Sequence, residues 1–518
     1  MKVSRRRFIT LGSLGLAGLS LAVMPKLIQW TQTRMNQPFP QPPDLKNESK
    51  QAGLVEFSLR ASRSRIKLPE QDGLEAELMT YNGSFPGPTM RVKEGDRVRI
   101  QFRNDLKEPT NLHFHGLHIS PTGLGDNVLR TIKPGETALY EFEVPSGSAG
   151  TYWYHPHHHG NANMQLFAGL SGAILVDGPL NAIPELQQVP DRLIVLKDLD
   201  LNPQGTIPPL PPMQWMNGRE GSRVMVNGIV QPVLSVEGGV VRLRLINQSV
   251  ARYYNLKLAE HPMTVIATDG GFVSTPYPVD SLLLAPGERY EVLVSVSQPG
   301  DVVLLNQPYD RGMMGMDMMG GMDHGGMGGM DGMQGMQGMN HGRTQRTGEG
   351  ALMTLRFADS NPTVKISRSI NPIRVLTPKE AVQKRTLNFT ERMGMVSSGM
   401  GSHSSGMRGM MSFSFNGQEF DMDRVDIRAK LGTVELWELV NNTDMDHPFH
   451  LHINAFQVYA RNGKPEPQVV WKDVVNVRSK ETVQILVPFA DFTGKTMFHC
   501  HLLEHEELGM MGVVEIVA

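Results

Sequence analysis

The sequence contains almost no cysteine: Cys500 is the single one in 518 residues. One thiol forms no intramolecular disulfide framework, and it cannot supply the several thiolates of a structural zinc site. An excess of one charge is also missing, because 50 Lys and Arg residues oppose 52 Asp and Glu residues and leave a net charge of −2. Proteins that bind nucleic acid normally carry a basic excess, so we expect no nucleic-acid partner.

The N-terminal apolar run is too short to be a regular membrane span. It extends from Ile9 to Met24, whereas a spanning helix needs about 20 residues. The run follows Ser4-Arg5-Arg6-Arg7, and paired arginines before such a run are typical of a twin-arginine export signal. We therefore predict that residues 1–30 are a signal for the twin-arginine export machinery, either cleaved or kept as an anchor. Residues 31–47 are predicted to be a linker, and the protein to be periplasmic or otherwise exported.

Three residue types are abundant: the chain has 33 Met, 53 Gly and 17 His. Clustered thioether and imidazole groups favour copper over the harder metal ions. At roughly 150 residues per domain, a chain of this length is predicted to form three domains.

A strand pattern recurs three times along the chain. Each copy starts with alternating charged and apolar residues, typical of a half-buried strand. These stretches are Gly95–Asn104, Gly238–Asn247 and Gly432–Asn441. A second landmark then opens another strand in each copy: Pro134-Gly135-Glu136-Thr137, Pro286-Gly287-Glu288-Arg289 and Ser479-Lys480-Glu481-Thr482. Short strands with Gly and Pro between them indicate antiparallel β-sandwiches, so we predict an all-β fold with domains at 48–180, 185–360 and 365–518.

Histidine pairs lie at equivalent places in the first and third copies and are missing from the middle copy. The paired residues are His113, His115, His155, His157, His450, His452, His499 and His501, and the middle copy has Leu256, Leu258, Leu305 and Gln307 instead. Residues i and i+2 of a strand project from one face, so each pair presents two imidazoles side by side. If the first and third domains face each other, all eight converge on one interdomain metal site.

Cys500 lies inside one of these pairs and projects from the opposite strand face. It is therefore predicted to bind a separate metal ion while its neighbours His499 and His501 bind the shared one. His447, His505 and Met510 would complete a trigonal His₂Cys set with a weak axial thioether, which is typical of a blue-copper electron-transfer site.

The motifs that carry these residues resemble those of the multicopper oxidase family. They are His113-Phe114-His115-Gly116, Trp153-Tyr154-His155-Pro156-His157, His447-Pro448-Phe449-His450-Leu451-His452 and His499-Cys500-His501-Leu502-Leu503-Glu504-His505 with Met510. The resemblance implies three cupredoxin-like Greek-key domains and four copper ions. By motif, His447, Cys500, His505 and Met510 are similar to the type 1 ligands, and His113 and His450 to the type 2 pair. The type 3 set would be His115, His155, His157, His452, His499 and His501.

The resemblance also implies a reaction. A reductant gives electrons singly to the type 1 copper, and they pass through Cys500 to the other three ions, where dioxygen is reduced to water. Asp126 and Glu506 resemble the acidic residues that supply protons in this family.

Two methionine-rich tracts, residues 313–342 and 393–411, are predicted to be mobile loops because their glycine content is too high for a packed element. Thioethers select Cu(I), although a low-complexity insertion without function is an alternative. The candidate residues for binding Cu(I) as substrate are Met313, Met314, Met316, Met318, Met319, Asp444 and Met445.

Three functions follow from these observations. The first is a monomeric oxidase that couples oxidation of Cu(I) to the reduction of dioxygen and so detoxifies copper, as in bacterial copper-tolerance members of the family. The second is a laccase-like oxidase of phenols or aromatic amines. The third is a non-enzymatic copper-sequestering or scaffold protein on the same fold.

Overall fold

A computed structural model describes residues 39–69, 74–312, 349–360, 366, 368–393 and 411–518. The predicted export signal and nearly all of both methionine-rich tracts lie outside these residues, so their predicted structure is not tested. Among the helices of the described residues, none is long and apolar enough to cross a membrane.

The fold is built from strands, as the sequence predicts. Residues 54–177 contain β1 (Leu54–Lys67), β2 (Glu75–Tyr81), β3 (Met90–Lys93), β4 (Arg97–Asn104), β5 (His113–His115), β6 (Thr137–Glu143), β7 (Gly150–His155) and β8 (Gly172–Asp177). Residues 191–357 contain β9 (Asp191–Leu199), β10 (Arg223–Val226), β11 (Val233–Val236), β12 (Val240–Asn247), β13 (Tyr254–Leu258), β14 (Met263–Thr268), β15 (Gly271–Val279), β16 (Leu282–Leu284), β17 (Arg289–Ser295), β18 (Gly300–Gln307) and β19 (Gly350–Phe357). Residues 381–517 contain β20 (Ala381–Met393), β21 (Met411–Phe415), β22 (Ile427–Lys430), β23 (Thr433–Asn441), β24 (His447–Leu451), β25 (Phe456–Arg461), β26 (Lys464–Pro465), β27 (Trp471–Lys472), β28 (Val474–Val477), β29 (Thr482–Phe489), β30 (Gly494–Cys500) and β31 (Met511–Val517).

In the described part of the chain, helices are few and short. They are α1 (Ala162–Phe167), α2 (Pro212–Asn217), α3 (Leu503–Glu507) and two 3₁₀ turns at Pro179–Ala182 and Pro378–Glu380. The prediction of an all-β fold is therefore confirmed.

The strands form two sheets in each of the three segments. The first segment has the orders β2-β1-β4-β6 and β3-β8-β7-β5, and the second has β10-β9-β12-β17-β14-β15 and β11-β19-β18-β13-β16. The third has β21-β20-β23-β29-β25-β26, with β27 beside β25, and β22-β31-β30-β24-β28. Buried apolar residues alternate with exposed ones along β4, where Val98, Ile100 and Phe102 point inward.

The repeated landmarks make the same hydrogen bonds in each segment. The asparagine that ends the first strand of each copy, such as Asn104, accepts from the backbone N–H two residues further on. The glutamate of the second landmark, such as Glu136, accepts from the backbone N–H three residues before it. These side chains fix the relative position of two turns, which explains why the spacing of the landmarks repeats along the sequence.

Strand β12 differs from its counterpart β4, because all of its residues are buried. Its charged face does not meet solvent: Arg244 donates to Glu291 at 2.8 Å, and Arg242 forms a very short contact with the same carboxylate. Glu291 also accepts from Thr151 of the first segment at 2.6 Å. The half-buried strand expected here is therefore fully buried, because its polar face packs against the neighbouring domain.

The end of the predicted linker is held against two segments. The backbone N–H of Phe39 donates to Val233 at 3.1 Å, and Asp44 forms a β-bridge with Thr89. Residues 39–47 therefore pack against the first and second segments.

Candidate metal centre

Two pairs of neighbouring strands position the paired histidines, of which His157, His452 and His501 lie one or two residues beyond the strand ends. In the first segment β5 runs antiparallel to β7, with His113 opposite His155. In the third segment β24 runs antiparallel to β30, with His450 opposite His499. All eight paired histidines are buried, and rings from the two segments stack on each other: the centroids of His115 and His450 are 3.9 Å apart. The structure thus brings the four predicted pairs together between the first and third segments.

Ring nitrogens in this cluster face each other closely. Nε2 of His113 lies 3.4 Å from Nε2 of His450, and Nδ1 of His115 lies 3.4 Å from Nε2 of His155. Nε2 of His499 lies 3.2 Å from Nε2 of His157 and 3.0 Å from Nε2 of His452. The cluster therefore contains three separate groups of converging nitrogens, which join residues far apart in sequence.

In several rings, the nitrogen that points away from the cluster (the outward nitrogen) makes a hydrogen bond to an acceptor. Nδ1 of His155 lies 3.0 Å from the carbonyl of Pro156, and Nδ1 of His450 lies 2.8 Å from the carbonyl of Asp473. A carbonyl only accepts, so these rings donate outward and keep a lone pair on the inward nitrogen. A hydrogen bond from the ring nitrogen that points away from the metal is typical of metal-binding histidines.

Burial also keeps the imidazoles neutral, which is the form that binds metals. It lowers the pKa of His157 to about 4, and it lowers the pKa of His501 to about 3 with a further contribution from His499. Both ring nitrogens of His501 are buried and have no hydrogen-bond partner among the described residues. Buried imidazole nitrogens with free lone pairs, close to one another in the cluster, fit a metal ion that prefers imidazole ligands.

A second group surrounds the thiol of Cys500. Its Sγ lies 3.5 Å from Nδ1 of His447 and 3.9 Å from Nδ1 of His505, and those two nitrogens are 3.2 Å apart. The backbone N–H of Cys500 donates to the carbonyl of Met510 at 3.0 Å, which holds that residue beside the group. Burial raises the pKa of the Cys500 thiol, so a thiolate forms here only when a metal ion replaces its proton.

The two carboxylates predicted to supply protons lie against the histidine cluster. Asp126 is within 2.9 Å of Nδ1 of His113 and accepts from the backbone N–H of Phe114 at 2.8 Å. Burial raises the pKa of Asp126 to about 7, although the Phe114 N–H lowers it. Glu506 lies 3.1 Å from Nδ1 of His499.

The candidate residues for Cu(I) fall into three groups. Met445 is fully buried, so its thioether is not open to solvent in this structure. Asp444 is half-buried and pairs with Lys480 at 2.7 Å. The five methionines from Met313 to Met319 lie outside the described residues, so their prediction stays untested.

The bases of both methionine-rich tracts are close to Cys500. Gly312, which precedes the first tract, forms a β-bridge with Met445, two residues before His447. The second tract leaves the fold at Met393 and returns at Met411, which face each other across β20 and β21. Two residues further on, the ring of Phe413 stacks on His505 with centroids 3.8 Å apart.

Three protein-family models, each describing a multicopper oxidase, match residues 64–181, 192–314 and 392–518. The chain belongs to the multicopper oxidase family. It is 30% identical over 491 residues to a multicopper oxidase of Staphylococcus epidermidis, covering 92% of each protein. It is 29% identical to the cell division protein FtsP of Yersinia pestis, covering 100% of this chain and 99% of that protein.

A solved multicopper oxidase of Campylobacter jejuni, titled a metallo-oxidase, superimposes with a TM-score of 0.80. It is 31% identical and covers 94% of this chain and 96% of its own. The three segments of this multicopper oxidase are therefore cupredoxin-like, which confirms the predicted fold. Membership also implies copper as the cofactor, and the buried neutral imidazoles and single thiol described above fit that metal.

The middle domain contributes contacts that the sequence reasoning on this multicopper oxidase missed. The carbonyl of Met216, at the end of α2, lies 2.9 Å from Nε2 of His505. It accepts the outward N–H of that ring and leaves Nδ1 for the Cys500 group. Met213 in the same helix is 59% exposed, so α2 connects the protein surface to His505. The Met213-x-x-Met216 spacing was the available sequence signal, but without the fold nothing placed it beside a histidine.

Proposed function

We propose that this multicopper oxidase couples the oxidation of Cu(I) to the four-electron reduction of dioxygen to water, and that it serves copper detoxification. The observation that carries this proposal is the position of both methionine-rich tracts, which begin or end beside His447 and His505. Thioethers attached at these points would hold Cu(I) next to the site that takes up electrons.

The residues divide into two sets of copper ligands with different tasks. His447, Cys500, His505 and Met510 are assigned to the type 1 ion. His113 and His450 are assigned to the type 2 ion, and His115, His155, His157, His452, His499 and His501 to two type 3 ions. Copper bound at these residues would supply one-electron transfer and the reduction of dioxygen.

The chain itself contributes a short connection between the two sets. Cys500 is covalently joined to His499 and His501, which belong to the other set. Both sets are buried, so solvent water is kept away from the ligands. With copper bound at both sets, Cys500 would provide a direct through-bond path for an electron.

Asp126 is proposed to deliver protons. A buried carboxyl with a pKa of about 7 holds and releases a proton near neutral pH. Its contact with His113 places that proton at the edge of the histidine cluster. Glu506, in contact with His499 of the same cluster, is proposed to pass protons on as an ionised carboxylate. Burial raises its pKa, but the neighbouring His157 and His499 hold that pKa well below its usual range.

The cellular setting is also a proposal. The paired arginines near the N-terminus support export by the twin-arginine pathway to the periplasm. The exported protein is proposed to act as a monomer. A metal-oxidising enzyme in the periplasm would meet copper ions before those ions reach the cytoplasm.

A laccase-like oxidation of phenols is the second candidate, and one observation favours it. A cleft bordered by Tyr253, Tyr309 and Arg311 opens at the base of the first tract. Its two tyrosine rings offer a surface on which a phenol would stack. The rest of the lining is polar or charged (Glu220, Arg252, Asn306, Gln307, Arg311 and Glu349), whereas organic ligands bind mainly apolar pockets, so this candidate ranks second. The scaffold function is less favoured, although FtsP is among the relatives, because every expected copper ligand is kept in this chain.

The test is to remove residues 313–342 and to assay both donors on copper-loaded protein. We expect Cu(I) oxidation to fall at least tenfold while phenols are oxidised as fast or faster. The matched control is a full-length variant that keeps the length of the tract and removes its thioethers. It has leucine at all eleven methionines of the tract: Met313, Met314, Met316, Met318, Met319, Met322, Met327, Met330, Met333, Met336 and Met339. It should lose Cu(I) oxidation as the deletion does. Unchanged Cu(I) oxidation in both variants would refute the substrate assignment.

A further inference from the structure

The middle domain has an arginine where the other two repeats have threonine. The second landmark ends at Thr137 in the first copy and at Thr482 in the third, but at Arg289 in the middle copy. The turn before Arg289 is built like the others: the backbone N–H of Asn247 donates to the carbonyl of Glu288 at 3.1 Å, as Asn104 does to Glu136 and Asn441 to Glu481. The backbone thus follows the repeat, and the side chain at its end is peculiar to the middle domain.

This turn touches the histidine cluster. A Cβ atom added to Gly287 would lie 3.0 Å from the ring of His501 and 3.2 Å from Cε1 of His115. Gly287 also has a φ of +87°, which side chains other than glycine rarely adopt. The middle domain, which supplies none of the paired histidines, therefore forms part of the wall around them.

Arg289 extends this contact through a carboxylate of the third domain. Its Nη1 and Nη2 donate to Oδ1 and Oδ2 of Asp473, each at 2.6 Å. Its three remaining N–H groups donate to the carbonyls of Thr151, Asp269 and Gly287 at 3.2, 2.8 and 3.3 Å. The guanidinium is fully buried. This two-pronged geometry fixes both the position and the plane of the Asp473 carboxylate.

Asp473 in turn holds His115. Its Oδ1 lies 3.1 Å from Nε2 of His115, and the other ring nitrogen, Nδ1, faces His155. A carboxylate accepts the Nε2–H, so the lone pair of His115 is on Nδ1. His115 therefore uses the opposite nitrogen from His155, His157 and His499, which face the cluster through Nε2.

Space for this arrangement comes from the residue after His115. A Cβ atom on Gly116 would lie 2.2 Å from Nη2 of Arg289 and 2.6 Å from Oδ2 of Asp473. Any side chain at that position would push the ion pair away from the ring. The glycine of the His-x-His-Gly motif thus makes room for a charge pair from the other two domains.

We propose that Arg289 is a positioning residue for the copper cluster. Acting through Asp473, it fixes the tautomer and the orientation of His115, so that the middle domain completes a site whose ligands all come from the other two. This inference rests on the proposed role of His115 as a copper ligand.

The test compares Arg289→Gln with Glu291→Gln, which breaks a comparably buried ion pair two residues further along β17. Copper affinity is measured by titration with a chelator. Copper at the Cys500 group is followed by its blue absorption, and copper at the histidine cluster by electron paramagnetic resonance. We expect Arg289→Gln to bind the cluster ions about 10- to 100-fold more weakly, as is typical when an outer partner of a ligand is lost. Its blue absorption from the Cys500 group should be unchanged. Glu291→Gln should bind all ions with wild-type affinity.

A second readout needs no metal. In metal-free wild-type protein, ¹⁵N NMR of labelled histidine should show His115 protonated at Nε2. In Arg289→Gln a mixture of both tautomers is expected. Arg289→Lys keeps the charge and loses the two-pronged contact, so its fraction of His115 protonated at Nε2 should lie between those of wild type and Arg289→Gln. This variant replaces Arg289→Gln in the test if the glutamine variant does not fold.

The outcomes separate the two proposals. If wild-type protein binds no copper at the histidine cluster, the proposed function fails. If wild-type binds copper, but Arg289→Gln matches Glu291→Gln in affinity and keeps the wild-type tautomer, Arg289 is only structural and this inference is overturned.

Discussion

At the residue scale, the acceptor on the outward nitrogen decides which atom each histidine can offer to a metal. His505 donates to the carbonyl of Met216, and His115 donates to Asp473. Both keep Nδ1 free, whereas His155 and His499 donate from Nδ1 and keep Nε2. The spacing in the sequence predicts which residues are ligands. It does not predict that His115 and His505 use Nδ1, because their acceptors, Asp473 and the carbonyl of Met216, come from other domains.

Cys500 is the residue whose replacement should have the clearest effect. In Cys500→Ser the thiolate that would connect the two ligand sets is lost, so we expect no blue absorption and at least a 100-fold loss of oxidase activity with either donor. The paramagnetic signal of copper at His113 and His450 should persist and serves as the control for folding. Retained oxidase activity would contradict the electron path through Cys500.

Lys197 predicts a pH dependence that is independent of copper. Burial lowers its pKa to about 8, although Asp198 opposes the shift, and its ammonium donates only to the carbonyls of Leu166 and Gln248. Between about pH 8 and the usual lysine pKa near 10.5, the unfolded chain binds a proton that the folded protein does not. The free energy of unfolding should therefore rise with pH through this window, by up to about 3 kcal/mol.

The measurement is denaturant unfolding of metal-free protein between pH 7.5 and about 10.5. Lys197→Met should remove the rise, because the methionine has no charge to lose. Exposed Lys93→Met is the matched control and should keep it. A wild-type protein whose stability is flat or falls relative to Lys197→Met over this range would contradict the prediction.

At the scale of the elements, the alternation of residues along strands is what made the histidine pairs predictable. Period-two projection placed His113 and His115 on one face of β5, and the repeated landmarks indicated that β24 and β30 are their counterparts. The contacts of α2 were not predictable, because a six-residue helix has no repeat equivalent and its position depends on packing between domains. The burial of β12 on both faces was missed for the same reason.

Strand β7 offers a test of how tightly the histidine-bearing sheet is packed. A Cβ atom on Gly172 of β8 would lie 2.4 Å from the ring of Tyr154 in β7, next to His155. We expect Gly172→Ala to lower the free energy of unfolding by about 1–3 kcal/mol, as overpacking typically does. The penalty should shrink in the double variant with Tyr154→Leu, which frees the space. Additive effects of the two changes would show that they are not coupled through this contact.

At the scale of the whole molecule, the histidine cluster joins distant parts of the chain. His157 and His499 are 342 positions apart in sequence, and their nitrogens are 3.2 Å apart. We expect a copper ion shared by them to bind the folded protein far more tightly than the unfolded chain, in which the two rings are far apart. Copper should therefore stabilise the protein by about 4 kcal/mol at a free concentration 1,000-fold above the dissociation constant.

Thermal unfolding with and without a copper chelator checks this expectation, and metal removal should lower the melting temperature. A His157→Ala/His499→Ala variant is the control, and it should respond less to copper. If copper raises the melting temperature of both proteins equally, the stabilising ions bind somewhere other than at His157 and His499.

The central claim is that imidazoles from the first and third domains share one copper centre. Anomalous diffraction at the copper edge from copper-loaded crystals tests it most directly. We predict three peaks enclosed by the eight paired histidines and a fourth bounded by His447, Cys500 and His505. Peaks found only on the protein surface, with none between the two domains, would contradict the account.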